Sequence, residues 1–368
     1  MPIWYEKYDE LSARISQVRE EYLVKCQSLS IHPTQALSEF SRDLVSRIVH
    51  ESNWQEGLCL DQDRTRELVD AVFDDPGMVR GPHLDFQGLL SVHRTQVLRM
   101  KRQGVSNEEL AALNLSRAHR CIQWIAHELS SRQTATLIQA LKESEPLLRK
   151  YADRIPPESA APIEAGMRTI CALQADQCPA YGPLTDNIAT TGELYKHLIN
   201  VDFEELLHPF RLDYIHFLHR LTMMGILPPR KCGILRKVPV SVGDPDILFP
   251  PPAAIPPLME EYCKHFPTIL PSTVKYDPIL TAAKASYDFV RIHPYTDGNG
   301  RVSRLLMNMI LWSHHPPVCL KADKKGRHKY HTAIRRANRG NLRPLGCLIS
   351  EAIIDNYTRM VAALTPPH

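Results

Sequence analysis

Hydrophobic residues recur along most of the chain with the spacing of one face of an α-helix. Residues 34–51 show this clearly, because five apolar side chains fall on one stripe behind Thr34: Leu37, Phe40, Leu44, Val45 and Ile48. The same periodicity predicts further helices over residues 87–103, 108–149, 191–199, 202–208, 211–224, 255–266 and 278–292. Asn107 and Asp277 precede two of them as predicted caps. We therefore predict an all-α fold.

One segment, residues 233–249, departs from the helical pattern. Valines alternate with other residues over 238–242, and a Gly-Asp-Pro turn at 243–245 leads into a second short apolar run. This pattern predicts one small β-hairpin. The three prolines at 250–252 end it, because proline has no N–H to donate to a β-ladder.

Prolines also mark the domain organisation. Residues 155–190 contain several prolines and few long apolar runs, which is typical of a linker or a domain boundary. We predict N-terminal helices over residues 1–60, a helical insertion or accessory region over 61–190, and a C-terminal core over 191–368.

Composition narrows the class of protein. The chain has 368 residues and a net charge of +3, too near balance to favour nucleic acid or an anionic membrane as the main partner. Its nine cysteines include no Cys-x-x-Cys pair, which argues against a disulfide scaffold and a structural zinc site. Residues 1–7 are charged without an apolar segment, and no apolar run is long enough to span a bilayer. We expect a reduced, cytoplasmic (or nuclear) protein.

The chemistry concentrates in residues 293–304, His-Pro-Tyr-Thr-Asp-Gly-Asn-Gly-Arg-Val-Ser-Arg, which join one predicted helix to the next. A glycine-rich turn that opens a helix directs free backbone N–H groups at a ligand, and the helix dipole favours an anion there. Gly298 and Gly300 allow the backbone to approach a ligand closely, and Asn299 tolerates a strained turn conformation. The turn is therefore predicted to bind phosphate.

Four side chains of this string extend the prediction to nucleotide chemistry. Arg301 and Arg304 suit the phosphates, and Asp297 offers the hard oxygen that Mg²⁺ (or Mn²⁺) prefers. His293 is able to take up a proton near neutral pH. For each residue alone, a capped helix behind a tight turn with solvated side chains is the better explanation. The complete string favours attack on a nucleotide phosphorus.

The string closely resembles the signature of the Fic family, His-x-Phe-x-(Asp/Glu)-Gly-Asn-Gly-Arg-x-x-Arg, with Tyr295 in place of phenylalanine. Residues 233–243 are similar to the family's flap hairpin. Residues 330–341 are similar to its Tyr-Tyr-x-Ala-Leu-x-x-Ala-x-x-Gly-Asp segment, with His331 and Asn341 as departures. The resemblance covers about residues 191–355 and implies a Fic-type helical core with a small β-hairpin flap.

The resemblance also implies an activity, the transfer of AMP from ATP to a Ser, Thr or Tyr hydroxyl of a target protein. His293 would be the base, and Asp297 would hold Mg²⁺. The phosphates would be bound by four residues of the signature string: Gly298, Asn299, Gly300 and Arg301. Arg304 would orient the γ-phosphate, and Gly300 favours AMP over phosphate transfer.

Two further segments are assigned to the nucleotide and the target by the same resemblance. The flap around Val242, Gly243 and Asp244 would lie near the nucleotide and pair with an extended target segment. Tyr330, His331 and Asn338 would line the base and ribose pocket.

Ser52-Asn-Trp-Gln-Glu56-Gly57 matches the inhibitory pattern (Ser/Thr)-x-x-x-Glu-(Gly/Asn) of many Fic proteins. A Glu56 carboxylate paired bidentately with Arg304 would keep that arginine from the γ-phosphate. In relatives that remove AMP, the same glutamate aligns the hydrolytic water. The pattern is loose enough to arise by chance, and that reading stays open.

Other readings also remain open. The chain could be a helical interaction module with a nucleotide-binding but catalytically silent Fic-like core, docking partners through residues 60–190. The basic residues within 321–343 could contact nucleic acid or an acidic partner, although a solvated face beside a phosphate site explains them better. His216 and His219 lack the company of metal ligands, which favours satisfied or surface histidines. A homodimer is a further candidate assembly.

Overall fold

The computed structural model describes residues 7–75, 86–123, 211–241, 248–265, 277–312 and 314–365. Within these ranges every long element is an α-helix, and β-type pairing is limited to one isolated bridge between Met224 and Leu227. The prediction of an all-α fold is confirmed. None of the helices in these ranges combines the length and apolar character needed to cross a membrane.

The helices are numbered here in chain order. The N-terminal part contains α1 (Tyr8–Ser28), α2 (Pro33–Gln55), α3 (Gln62–Asp74), α4 (Phe86–Arg102) and α5, which begins at residue 107 and reaches the end of its described segment at 123. The C-terminal part contains α6 (Leu212–Met223), α7 (Ile255–His265), α8 (Pro278–Ile292), α9 (Asn299–Trp312), α10 (Lys324–Ala337) and α11 (Arg343–Ala363). Two short 3₁₀ turns, Pro229–Lys231 and Pro252–Ala254, lie between them. The helices predicted over 191–199 and 202–208, and the rest of 108–149, lie outside the described residues.

Helix caps explain where several helices begin. Asp277 accepts hydrogen bonds from the first two free N–H groups of α8, and Pro278 takes the next position, as predicted. The cap of α5 is Ser106 rather than the predicted Asn107. The Ser106 hydroxyl accepts from the Glu109 N–H at 3.2 Å, and the Glu109 carboxylate accepts from the Ser106 N–H at 3.2 Å. This reciprocal capping box fixes the start of the helix one residue earlier.

Helix α9 lies at the centre of the fold. All of its residues except Gly300 are buried, including two arginines. Helix α8 packs along it, α2 and α6 contact it, and α1 packs along α11 at the periphery. A buried helix that carries charged side chains in its first turn must supply them with partners, since an unpaired buried charge is costly.

Strand pairing is absent from the described parts of the predicted hairpin, 233–241 and 248–249, while residues 242–247 lie outside the description. Arg236 joins the two limbs instead. Its Nη1 donates to the Val238 carbonyl at 3.1 Å, and its Nη2 donates to the Pro250 carbonyl at 2.6 Å. Pro239 and Pro250 have no N–H to offer a ladder, so a guanidinium can link these limbs where backbone pairing is interrupted.

Candidate active site

The residues between α8 and α9, 293–298, are called the signature loop below. His293 ends α8 in a left-handed conformation, with φ 51° and ψ 58°, and its N–H donates to the Phe289 carbonyl at 3.0 Å. Gly298, at φ 80°, turns the chain into α9. Asn299 begins that helix and does not take the strained conformation expected from the sequence. The positive φ is adopted instead by Gly298, where it causes no strain because glycine has no Cβ to clash.

Asn299 closes the signature loop on itself. Its Oδ1 accepts from the Tyr295 N–H at 3.0 Å, and its Nδ2 donates to the Tyr295 carbonyl at 2.9 Å. The Gly298 N–H is taken by the neighbouring Asp297 Oδ1 at 2.6 Å, so this amide is less available to phosphate than predicted. The first-turn N–H groups of α9 have no partner inside their own helix. The loop thus leaves backbone donors at the start of α9 that are able to bind an anion, as the sequence predicts.

Arg301 supports that site with a buried guanidinium. Its side chain is 2% exposed, and its Nη2 lies 4.0 Å from Asp297 Oδ1. Within the part of the chain that the structure describes, its Nε and Nη1 make no hydrogen bond although both atoms are buried. Buried donors normally have partners, and a guanidinium matches the oxygens of a phosphate. The unpaired atoms therefore point to an anionic ligand.

Arg304, one turn further along α9, is engaged at Nε and Nη2 by the end of α2. Its Nη2 donates to Glu56 Oε1 at 2.7 Å and to the Ser52 carbonyl at 2.9 Å, and its Nε donates to Ser52 Oγ at 2.7 Å. The predicted pairing of Glu56 with Arg304 is thus present, but it is not bidentate. Ser52 takes the second position on the guanidinium because its hydroxyl and carbonyl project from the preceding turn of α2.

Glu56 is ionised at this position. Burial opposes its charge, but the positive charges of Arg304 and Arg301 and the hydrogen bond from Arg304 outweigh burial and hold its pKa below the usual value. Its Oε1 lies against Gly300, where an added Cβ would overlap it. The carboxylate therefore covers the first turn of α9, the place where phosphate is expected.

Further contacts fix α2 against the core. Glu51 Oε2 accepts from the Ala322 N–H at 2.6 Å, and Gln55 Nε2 donates to the Leu320 carbonyl at 2.8 Å. Arg47 pairs with Asp355 of α11 at 3.1 Å. The end of α2 is consequently held against the segment that follows α9 and against α11.

His293 has the geometry of a general base. Its Nδ1 lies 3.2 Å from the Val290 carbonyl, which assigns the proton to Nδ1 and leaves Nε2 as the acceptor. The Phe249 ring packs on the imidazole at 4.1 Å, and Arg236 Nε donates to the His293 carbonyl at 2.7 Å. Burial lowers the pKa of His293, despite the opposing Val290 hydrogen bond, so the ring is neutral at neutral pH.

The Asp297 side chain is 53% exposed beside the anion site. Among the described residues no group of three or more His, Cys, Asp and Glu side chains could form a metal cage. Mg²⁺ is usually held by one or two carboxylates together with substrate phosphates, so a single accessible aspartate beside a phosphate site fits this ion.

Comparison with known proteins agrees with this geometry. Residues 209–311 match the Fic/DOC family. They form a Fic domain. Protein adenylyltransferase Fic of Aedes aegypti is 36% identical over 156 residues, which are 41% of this chain and 30% of that protein. Protein adenylyltransferase fic-1 of Caenorhabditis elegans is 38% identical over 152 residues, 40% of this chain and 28% of that protein. The match thus spans less than a third of either relative.

One solved structure shares the fold. It is a Fic domain containing signaling protein from Bacteroides thetaiotaomicron, with a TM-score of 0.52, 15% sequence identity, and coverage of 95% of this chain and 97% of that one. At this level of identity the likeness concerns the fold alone.

The remaining predicted site residues lie in two regions, on or just after α10 and in the flap. Tyr330 is half-buried on α10, near enough to Arg304 and Glu56 to feel their charges, and burial raises its pKa. His331 and Asn338 are exposed, and Asn338 Oδ1 accepts from the Tyr287 hydroxyl at 2.9 Å. The predicted flap residues Val242, Gly243 and Asp244 lie outside the described residues.

Two further residues of the Fic domain, His219 and Arg236, contact the signature loop, although the sequence pattern does not assign them to the site. His219 donates from Nε2 to the Asp297 carbonyl at 3.0 Å and accepts from the Gly233 N–H at Nδ1, at 2.7 Å. It is a satisfied buried histidine, as the sequence favoured, but it is satisfied by the signature loop. Arg236 similarly contacts the His293 carbonyl. The sequence shows only that His219 lies on an apolar helix, and this position does not reveal which residues it contacts.

Proposed function

We propose that this protein is an adenylyltransferase that moves AMP from ATP to a Ser, Thr or Tyr hydroxyl of a target protein. The observation that carries the proposal is Arg301 at the N-terminus of α9, a buried guanidinium two of whose nitrogens have no partner among the described residues. It belongs to the same loop–helix unit as the neutral base His293. The names of the relatives, which are adenylyltransferases, support the choice of AMP as the transferred group.

The side chains divide the reaction between them. The first-turn N–H groups of α9 and Arg301 bind the α- and β-phosphates and hold the α-phosphorus in line with the target hydroxyl. His293 Nε2 removes the hydroxyl proton while Nδ1 remains on the Val290 carbonyl. A bond forms from the hydroxyl oxygen to the α-phosphorus, the bond from that phosphorus to the bridging oxygen breaks, and pyrophosphate leaves. Asp297 would hold Mg²⁺ or Mn²⁺, which when bound neutralises phosphate charge.

The proposal includes a brake. Glu56 and Ser52 occupy Arg304, so ATP meets a carboxylate where its γ-phosphate should meet a guanidinium. The triphosphate then binds with its α-phosphorus out of line, and the transfer rate stays low. Removing the carboxylate frees Arg304 and releases the activity.

Glu56 also favours a second activity at the same site, removal of AMP from a modified target. Its ionised carboxylate over Gly300 is placed to orient a water and accept its proton. The water oxygen bonds to the phosphorus, and the bond from the phosphorus to the target oxygen breaks. The target oxygen takes its proton from a His293 that has first been protonated at Nε2, and AMP is released. Incubation of an AMP-labelled target with wild type and with Glu56→Gln tests this. Label release by both variants at equal rates would contradict it.

The N-terminal regions have roles in this scheme. We infer that residues 1–60 supply the brake through α2, that 191–368 form the catalytic core, and that 61–190 support it. The third inference rests on α5, where Asn114 Nδ2 donates to the carbonyls of Thr222 and Met224 at the end of α6, at 3.2 and 2.8 Å. The alternative, a catalytically silent interaction module, is disfavoured because His293 is a neutral imidazole whose tautomer leaves Nε2 as a proton acceptor.

The test is incubation with Mg²⁺, a protein extract and ATP labelled at the α-phosphate, with γ-labelled ATP as control. We expect Glu56→Gly to attach the α-label to protein, the wild type to attach much less, and Glu56→Gly/His293→Ala to attach none. The γ-label should attach to protein no more than in the extract alone, where kinases of the extract transfer the γ-phosphate. Absence of α-label with Glu56→Gly contradicts the adenylyltransferase proposal. Equal labelling by wild type and Glu56→Gly contradicts only the brake.

A further inference from the structure

Beneath the signature loop, two histidines of α6 enclose the side chain of Tyr295. His219 uses both ring nitrogens, since Nδ1 accepts from the Gly233 N–H at 2.7 Å and Nε2 donates to the Asp297 carbonyl at 3.0 Å. The ring is fully buried, so neither partner can be replaced by water from the surface. One imidazole therefore joins the start of the flap to the loop residue that would hold the metal ion.

The flap end of this link is sterically defined. Gly233 has φ 67°, and a Cβ there would come within 2.5 Å of Arg220 Cγ and 2.7 Å of the His216 carbonyl. Only glycine lets the backbone approach α6 closely enough for its N–H to reach His219. The close approach fixes where the flap leaves the core.

The loop end is defined by packing as well as by hydrogen bonding. Gly298 follows Asp297 directly, and a Cβ on it would meet Met223 Sδ at 2.5 Å. Met223 lies one turn beyond His219 on α6, so the same helix supports two successive loop residues, one through a hydrogen bond and the other through van der Waals contact. A shift of His219 would therefore move the Asp297 carboxylate.

Tyr295 completes the unit. Its ring stacks on His219 with centroids 3.7 Å apart and planes at 23°, and its hydroxyl forms a 2.8 Å hydrogen bond with His216 Nδ1. The side chain is 0% exposed. The hydroxyl is the atom by which this residue departs from the phenylalanine of the Fic signature. It gives the ring a directional anchor that a phenylalanine would lack.

We propose that His219 is a positioning residue for the nucleotide and metal site. The Tyr295–His216 hydrogen bond holds the His219 imidazole in its observed position. The proposal deepens the proposed function because it says how Asp297 and Gly233, the first residue of the flap, are kept at a fixed separation. His219 does not touch substrate; it acts through the Asp297 backbone and the Gly233 amide.

The main variant is His219→Phe, which keeps an aromatic ring for stacking and removes both hydrogen bonds. We expect the affinity for ADP with Mg²⁺, measured by titration calorimetry, to fall about tenfold, since two buried backbone groups lose their partners. Exchange of the Gly298 amide hydrogen, which His219 does not contact, should accelerate. In a Glu56→Gly background, the Mg²⁺ concentration for half-maximal labelling should rise.

His315→Phe is the matched control. This histidine is also buried, but it lies after α9 against Tyr357 of α11. We expect it to change stability without changing ADP affinity. If His219→Phe behaves in the same way, lowering stability while leaving ADP affinity and Gly298 exchange unchanged, the positioning role is refuted.

A double-mutant cycle on His216 and Tyr295 tests the second half of the proposal without removing His219. Tyr295→Phe and His216→Ala should each weaken ADP binding about threefold, and the double variant should do no worse than either single one, because all three lack the same hydrogen bond. Additive losses would contradict the proposal. These equilibrium readouts remain decisive even if Glu56→Gly fails to label protein, so failure of the adenylyltransferase proposal is distinguishable from failure of this one.

Discussion

The signature loop has two unlike sides. On its arginine side, Arg301, Arg304 and Glu56 are charged, and the contact between α2 and α9 is an ion pair supported by Ser52. On its histidine side, the neutral rings of His219 and Tyr295 stack on each other, and each ring forms hydrogen bonds with other groups. An ion pair can be exchanged for another anion such as phosphate, whereas a buried hydrogen bond has no substitute. The comparison indicates a fixed base beneath the loop and an exchangeable contact above it.

The arginine side contains a second contrast. Arg301 and Arg304 lie three residues apart on α9, yet two nitrogens of Arg301 make no hydrogen bond within the described residues while Arg304 is engaged by Ser52 and Glu56. The difference is made by α2, since its last turn reaches one arginine and not the other. One guanidinium is thus open to a ligand, and the other is withheld from it.

The largest expected effect comes from neutralising the open arginine. Arg301→Gln in the Glu56→Gly background should lower kcat/KM for labelling about 10²–10³-fold, the usual cost of losing a preorganised donor to phosphate charge. Arg301→Lys, which keeps the charge without the fork, should lose less. If the Gln and Lys variants retain the activity of the parent, Arg301 does not bind the phosphates.

Ser52→Ala should release the brake in part. The variant removes the hydroxyl that accepts from Arg304 Nε and leaves the Glu56 contact in place. A neutral acceptor for a charged donor contributes about 1–2 kcal/mol, so labelling by Ser52→Ala should exceed that by the wild type roughly five- to thirtyfold and stay below that of Glu56→Gly. No rise, or a rise equal to that of Glu56→Gly, would contradict the division of Arg304 between two partners.

The histidine side should weaken in mild acid. Burial lowers the pKa of His219 to about 4 and that of His93, which contacts the Leu221 carbonyl of α6, to about 3. In the unfolded chain both take up a proton near pH 6.5, so the unfolded state is favoured as the pH falls below that value. For each of these two histidines, protonation in the unfolded chain should lower the free energy of unfolding by about 1.4 kcal/mol between pH 7.5 and 5.5.

Urea unfolding at the two pH values measures this loss. Because His219→Phe removes one titrating group, its loss should be about 1.4 kcal/mol smaller than that of the wild type. An equal loss in both proteins would show that His219 does not stay neutral in the folded state.

The arginine side should show the smallest effect of pH. The pKa of Glu56 is lowered, so the stabilisation from its ion pair is fully present above the ordinary glutamate pKa near 4.3 and is lost only as the pH falls through the still lower folded value. The ratio of labelling by Glu56→Gln to labelling by wild type should therefore stay constant between pH 8 and 6. A ratio that falls towards one at pH 6 would contradict an ionised brake.

Much of the fold follows from local sequence signals. The Asp277–Pro278 cap and the apolar stripe of α8 are contiguous, and the predicted range 278–292 matches the observed helix. Strand pairing in the hairpin segment is harder to predict, because alternating valines favour a strand while Pro239 and Pro250 interrupt pairing. Which effect dominates depends on Arg236, whose contacts lie outside the local pattern.

The candidate site likewise has one part that is predictable from the sequence and one part that is not. Its loop is predictable because the residues of 293–304 are adjacent in sequence, and the pairing of Glu56 with Arg304 followed from the family resemblance. The share taken by Ser52 and the link from His219 to Asp297 were not predictable. Both depend on how α2 and α6 lie against the loop, and a helical periodicity defines which face is buried without defining its neighbour.

The central claim is that Glu56 keeps Arg304 from the γ-phosphate of ATP. The most direct measurement is the affinity for ATP relative to ADP, with Mg²⁺, by titration calorimetry on wild type and on Glu56→Gln, which preserves size and removes charge. We expect equal affinities for the two nucleotides in wild type. In Glu56→Gln we expect ATP to bind about tenfold more tightly than ADP, the contribution of one charge-assisted contact to the γ-phosphate. The same preference in both proteins would contradict it.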